Sequence, residues 1–251
     1  MSSGKLLGLV RVMLRAGVME NGSVMSRSAG TPQGGVISPL LANVYLHRLD
    51  RQWQTQGIGV LVRYADDLVV MCKNQREAAR ALEALAAILA GMGLQPKPAK
   101  TRTVHLAEGG EGLDFLGFHH RWVRSRDPRF RHVCFLARWP SRQAMQRARE
   151  RVRELSARDR LRWPVEQVVG DLNRFLRGWA GYFRYGNSTV QFDQISSHAD
   201  TRLALWVANR HQQPRRYGWQ QFVASPNRMG LVSLNGIIVA PRPNRPWRTG
   251  R

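Results

Sequence analysis

Cysteine is scarce in this 251-residue chain: only Cys72 and Cys134 occur, far apart and in no metal-ligand spacing. That excludes a disulfide-stapled fold and a cysteine-based zinc site, and fits free thiols in a reducing cytoplasm. No apolar run approaches the roughly 20 residues a membrane span needs. The short run Leu6–Val10 is soon broken by charge and followed by no cleavage site, so it does not read as a secretory signal. Acidic residues are also few, 17 against 39 Lys and Arg, for a net charge of +22. Residues 121–251 hold 26 of the basic and 8 of the acidic groups, which leaves them at +18 and residues 1–120 at +4. An excess so placed points to a polyanion held mainly by the second half. Almost all the basic residues are Arg, so codon bias and ordinary solvated helix faces also contribute.

The chain is 43% hydrophobic, enough for one large or two modest cores. Its periodicity predicts an α+β first half. Leu6–Leu14 reads as a helix, Val18–Met25 as a short hairpin around Glu20-Asn21-Gly22-Ser23, and Gly30–Gly35 as a loop. Ser38-Pro39 opens a helix with Leu40, Leu41, Val44, Tyr45 and Leu49 inward. Ile58–Tyr64 and Leu68–Cys72 are β-rich runs separated only by Ala65-Asp66-Asp67, a hairpin with adjacent carboxylates at its tip. Asn74 with Glu77 forms a capping box for a helix to Ala90, whose apolar stripe includes Ala78, Leu82, Leu85 and Leu89. Lys100–Leu106 and Leu113–Phe118 read as further strands, making residues 1–120 an antiparallel sheet with helices. Residues 121–140 form a linker or strand segment. Helices are expected over 141–157, 164–185 and 192–211, and residues 214–251 form a basic stretch without a clear pattern.

Two neighbouring carboxylates repel, so a turn carrying Asp66 and Asp67 is unfavourable unless cations bind there. Nucleotidyl transfer uses such a pair to hold two Mg²⁺ about 3.5–4 Å apart. Asp is common in turns, so the pair alone decides little. Its surroundings carry more weight. Tyr64-Ala65-Asp66-Asp67 between apolar strands resembles the Tyr-x-Asp-Asp box of reverse transcriptases. Upstream, Gly30-Thr31-Pro32-Gln33-Gly34-Gly35-Val36-Ile37-Ser38-Pro39-Leu40-Leu41-Ala42-Asn43-Val44-Tyr45-Leu46 resembles the neighbouring conserved block of the bacterial and organellar group II intron version. Gly93-Leu94 with Lys100-Thr101, and then Phe115-Leu116-Gly117-Phe118, follow in the family's order. Leu172-Asn173-Arg174-Phe175-Leu176-Arg177-Gly178-Trp179-Ala180-Gly181-Tyr182-Phe183 resembles the maturase-specific region, domain X.

The resemblance implies a partial reverse transcriptase palm over residues 1–120, a thumb and maturase domain over 141–213, and a basic tail over 214–251. It implies Asp66 and Asp67 as catalytic metal ligands, and Gln33, Gly34, Gly35, Tyr64 and Lys100 as template or nucleotide contacts. Gln33-Gly34-Gly35 leaves backbone open to close approach; Tyr64 is expected to pack under the turn; Lys100 either neutralises phosphate or is a solvated strand end. Arg174, Arg177, Arg184 and Tyr182 are implied as RNA contacts, and Trp179 is either a stacking surface or, as we favour, core. The implied partners are group II intron RNA and a DNA target or primer. The family's third aspartate lies on a strand before the Gly30 block, whereas the first Asp here is Asp50 and the only earlier acid is Glu20, in the later turn. The chain therefore reads as the later part of such an enzyme, with an upstream polypeptide completing it, or as an RNA-binding maturase remnant, or as a fold retaining neither activity.

Overall fold

The computed structural model describes residues 3–15, 18–20, 23–25, 38–125 and 127–239. The fold is α+β, with seven α-helices and small antiparallel sheets among these residues. It divides into two compact units, Met1–Thr103 and Val104–Arg251. None of the described helices is long and apolar enough to cross a membrane.

The first unit runs α1 (Ser3–Arg15), β1 (Val18–Glu20), β2 (Ser23–Met25), α2 (Ser38–Gln56), β3 (Val60–Tyr64), β4 (Asp67–Met71) and α3 (Gln75–Ala90). β1 pairs with β2 and β3 with β4, each as a separate hairpin. The core forms where Leu46, Leu49 and Trp53 of α2 meet Ile58 and Ala81, Leu85 and Leu89 of α3. Leu61, Leu68 and Val70 from one face of the β3–β4 hairpin pack against that seam. Its α2 stripe, spaced i, i+3, i+7, differs from the predicted one: Leu40, Val44 and Tyr45 are exposed, because they lie off the face that meets α3. Leu82 of α3 is likewise 40% exposed, and Ala81 takes its place inside.

Asn74 caps α3 as its sequence predicts, accepting from the Glu77 N–H at 2.9 Å. The Glu77 carboxylate reaches further back than a capping box requires, accepting from the Lys73 N–H at 2.6 Å and the Gly59 N–H at 3.1 Å. It thereby ties the start of β3 to the start of α3, and these bonds hold its pKa below the ordinary glutamate value. The strand predicted over Lys100–Leu106 does not form. A turn ends at Lys100 and an irregular segment follows, since no neighbouring strand takes up its backbone groups.

The second unit opens with β5 (Leu113–Phe115), β6 (Phe118–Arg124) and β7 (Cys134–Pro140), paired antiparallel in that order. Then come α4 (Arg142–Leu155), α5 (Val165–Phe183), α6 (Thr189–Arg210) and α7 (Arg215–Ala224). One core joins them: Met145 and Val152 of α4, Val168, Leu172 and Leu176 of α5, Phe192, Leu203 and Trp206 of α6, and Phe222 of α7. The stretch after residue 213, patternless in sequence, supplies α7 and then buries Leu231 and Leu234 in this core.

Candidate functional site

The β3–β4 hairpin closes through a two-residue turn, Ala65-Asp66, between the paired residues Tyr64 and Asp67. Ala65 sits at φ +52°, the left-handed region that suits the primed turns of tight hairpins but is unfavourable for a residue with a side chain. Such a conformation costs on the order of 1–3 kcal/mol and persists only where its surroundings enforce it.

Arg63 is the enforcing group. Alternation points Leu61 and Arg63 to the inner face of β3, where Arg63 is 12% exposed. Its Nε and Nη2 donate to the two carboxylate oxygens of Asp50 on α2 at 2.8 and 2.5 Å. Nη1 donates to the Asn43 Oδ1 at 2.9 Å and to the Ala65 carbonyl at 2.8 Å. One guanidinium thus ties α2 to the turn's backbone. This hydrogen bonding to Arg63 holds the Asp50 carboxyl below its usual range against the opposing effect of burial. Neither Arg63 nor Asp50 was singled out by sequence. The available signal was a charged residue at an inward strand position, which requires a partner.

Asp66 and Asp67 are both exposed, and among the described residues neither side chain has a hydrogen-bond or ion-pair partner. Asp67, paired with Tyr64, projects from the face of the hairpin opposite Arg63. Val60, Val62, Tyr64 and Met71 share that face and are exposed. Tyr64, at 67% exposure, does not pack beneath the turn: the pairing register puts it on the open face. The adjacent hard oxygen donors suit a divalent cation such as Mg²⁺, and no group of three or more potential metal ligands assembles among the described residues. Asp50, the preceding acid in the sequence, is committed to Arg63. Lys100 lies exposed at the end of the turn that begins at Lys97. Gln33, Gly34 and Gly35 lie outside the described residues.

In the second unit the predicted contacts separate. α5 advances about 100° per residue, so Arg177 and Arg184 share a stripe while Tyr182 lies roughly 160° around the helix from Arg184. Arg177 is exposed. Arg184 is half-buried, its guanidinium 5.6 Å from the centre of the Tyr185 ring. Arg174 is exposed and shares Asp171 with Arg160, both at 3.0 Å. Trp179 packs against the core, its ring near Phe183 and Phe192.

Tyr182 has a structural attachment: its hydroxyl donates to the Leu116 carbonyl at 2.9 Å. Leu116 and Gly117 form the β5–β6 turn, both at positive φ, the signature of a type I′ hairpin, with leucine where glycine or asparagine is usual. The Ser141 N–H at the start of α4 donates to the Gly117 carbonyl at 2.8 Å. The Phe115–Phe118 turn is therefore gripped from α4 and α5 together.

Two family profiles match this chain. That of the reverse transcriptase (RNA-dependent DNA polymerase) family covers residues 4–120, and that of the group II intron maturase-specific domain covers residues 145–222. Protein YkfC of Escherichia coli K12 is 31% identical over 159 residues, spanning 50% of this chain and 40% of that protein. The group II intron-encoded protein LtrA of Lactococcus lactis is 51% identical over 47 residues, 19% of this chain and 8% of LtrA. An uncharacterized 91 kDa protein in a cob intron of Schizosaccharomyces pombe is 44% identical over 46 residues, 18% of this chain and 6% of that protein. These matches span less than half the length of each relative.

Proposed function

The chain belongs to the group II intron reverse transcriptase/maturase family, and from that premise we propose that it is a polymerase-derived, RNA-binding protein that engages intron RNA and assists its splicing. On this reading residues 1–120 are a partial palm, 121–140 a connecting segment, 141–213 the thumb and maturase helices, and 214–251 a basic C-terminal stretch. The family profiles, ending at residue 120 and starting at 145, support that order. The partners are group II intron RNA and a DNA target or primer, in the cytoplasm.

The observation that carries the polymerase part is the Asp66–Asp67 turn: two exposed carboxylates, without a partner among the described residues, on a strained hairpin pinned by Arg63. Asp66 and Asp67 would hold Mg²⁺, which when bound neutralises charge on reacting phosphates. Arg63 positions the turn, and Tyr64 shares the open face with Asp67. Two carboxylates supply only part of a two-metal site, so we propose that a third comes from an upstream polypeptide and that these 251 residues do not polymerise alone. The commitment of Asp50 to Arg63 supports this. A second reading compatible with the same family match is a maturase remnant that binds RNA without polymerising.

Primer extension on an RNA template with Mg²⁺ separates the two. The chain alone should yield no more product than its Asp66→Ala/Asp67→Ala variant. Adding a polypeptide with the family's upstream residues should restore extension, and Asp66→Asn should abolish it. Extension by the chain alone that vanishes in the double variant would overturn the incomplete-site argument. Restored extension indifferent to Asp66 would show that the turn holds no metal. No restoration leaves the remnant reading in possession.

A further inference from the structure

After α7 the chain runs alongside α5, meeting Asn173 at residues 230–232 and Arg184 at residue 239. Its hold on the helix changes midway. Asn173 donates from Nδ2 to the Gly230 carbonyl at 2.8 Å and accepts the Val232 N–H at 2.8 Å, so one amide side chain takes up two groups of the passing backbone. Leu231 and Leu234 are buried in the core. Asn235 and Gly236 then form an exposed turn, with Gly236 at φ +78°. Beyond it the attachments thin out. Ile237 and Ile238 are only half-buried, and Val239 is exposed. The Val239 N–H donates to the Arg184 carbonyl at 2.7 Å, among the described residues the one hydrogen bond between residues 235–239 and the helices.

Asn173, Arg177 and Arg184 lie within about 40° of one another around α5, so the two attachment points bracket Arg177 on a single stripe. Arg177 is exposed, whereas Arg184 is half-buried. The Arg184 Nε is buried and has no hydrogen-bond partner among the described residues. No carboxylate pairs with this guanidinium among those residues either, although Arg160 and Arg174 share Asp171 and Arg228 reaches Asp200. A buried guanidinium donor without an acceptor has lost its hydration and gained nothing in exchange. The closed position of residues 235–239 is therefore lightly held and has an unmet donor beside it. Opening lets water, or the oxygen of an anion, reach that donor.

We propose that residues 235–239 are an autoinhibitory flap, hinged at Asn235-Gly236, that closes against the end of α5 and withholds Arg184 until an arriving phosphate selects the open position. The gate rests on the RNA-binding reading above and concerns its control. Asn173 is the positioning residue: it fixes the chain just before the hinge, so that only the segment beyond Gly236 swings. The core survives the motion because its two plugs, Leu231 and Leu234, also precede the hinge. Gly236 holds a positive φ that suits glycine, and a Cβ there would meet no atom within 4 Å, so the need for glycine is conformational and not one of space. Linkage makes the gate reciprocal. If RNA binds the open flap more tightly, RNA must also open it.

The test is amide exchange of the full chain, read at Val232 and Val239 with and without a structured RNA, together with RNA binding across a salt series. Without RNA, Val239 should exchange at least about tenfold faster than Val232, because the hinge lies between them. Saturating RNA should quicken Val239 by about fivefold or more and leave Val232 unchanged. In Arg184→Ala that response should vanish, and the log–log salt slope should fall by about one unit for the lost phosphate contact. Ile237→Ser/Ile238→Ser loosens the flap and should tighten RNA binding about fivefold at an unchanged slope, since a larger fraction of the protein is already open. Adding Arg184→Ala to that pair should cancel the gain. If the Ser pair unfolds, exchange in the parent and in Arg184→Ala decides the matter. Equal exchange at Val232 and Val239, or RNA that binds the parent yet slows Val239 or leaves it unchanged, overturns the flap and leaves the RNA-binding reading standing. A parent that binds no better than a neutral control protein at low salt overturns both.

Discussion

The Asp50–Arg63 pair allows the hairpin's geometry to be tested as a stability. Replacing Asp50 with Asn keeps the side chain's shape but removes the charge that two guanidinium N–H groups address at 2.8 and 2.5 Å. A hydrogen bond to a charged group contributes about 1.5–3 kcal/mol net. Breaking a fully buried ion pair costs about 3–5 kcal/mol. Arg63 is 12% exposed but Asp50 is 30% exposed, so water recovers part of the loss. We therefore expect about 2 kcal/mol, placed in the first unit. Because hydrogen bonding to Arg63 lowers the Asp50 pKa in the fold, the contribution is complete above the unfolded value near 3.9 and is lost as pH falls through the folded one. The gap between parent and Asp50→Asn should thus be full at pH 7 and narrow below about pH 4. The assay equilibrates each protein in urea at the test pH, applies one labelling pulse at fixed pH, and reads deuterium uptake in peptides spanning residues 43–71. At pH 7 the midpoint should fall by on the order of 1 M. An equal gap at pH 7 and pH 3, or one below about 0.5 kcal/mol at pH 7, would mean that Arg63 does not hold the turn through Asp50.

Two smaller perturbations probe the second unit. Tyr182→Phe removes the hydrogen bond to the Leu116 carbonyl, worth about 0.5–1.5 kcal/mol; exchange in peptides over residues 113–120 should quicken, and unchanged exchange would return Tyr182 to a purely surface role. Gly218→Ala places a Cβ against the Ala204 carbonyl oxygen, closer than contact allows, forcing α6 and α7 apart; overpacking of this kind costs about 1–3 kcal/mol and should lower Tm by several degrees, and a melting curve matching the parent's would contradict the observed packing.

What was readable in the sequence was what period and punctuation encode. The Ala65–Asp67 tip follows from two alternating apolar runs with three residues between them. The α3 cap follows from Asn74 and Glu77, and α4, α5 and α6 from their apolar stripes. The readings that failed depend on neighbours. Lys100–Leu106 has β-prone residues but finds no partner strand, and α7 depends on a core assembled by helices earlier in the chain. The inward face of α2 was misplaced because Leu40, Leu41 and Val44 are as apolar as Leu46, Leu49 and Trp53, and only packing against α3 chooses between them. In α5 the information was present and unused: Arg177 and Arg184 are seven residues apart and share a stripe, whereas Tyr182 falls on another side. The Arg63–Asp50 pair spans 13 residues and two elements, beyond any local period.

The charge balance bears on Asp66 and Asp67 in a way that neither motif nor fold does. The chain has 39 basic groups for 17 acidic ones, so an acidic side chain near the surface is surrounded by more than its share of cations. Asp50, Glu108, Asp127, Glu154, Asp171 and Asp200 each take an arginine partner. Exposed pairs contribute little, so an unpaired acid on a helix face such as Glu83 or Glu166 needs no explanation. Asp66 and Asp67 differ because they are adjacent, and because the arginine nearest in sequence turns its guanidinium to the opposite face of the hairpin. Arg63 spends its donors on Asp50, Asn43 and the Ala65 carbonyl, holding the turn without neutralising it. A basic side chain seated among the two carboxylates would satisfy them and close the site to a divalent ion. By fixing the backbone from behind, Arg63 leaves both carboxylates exposed and side by side, the arrangement that the proposed cation site requires.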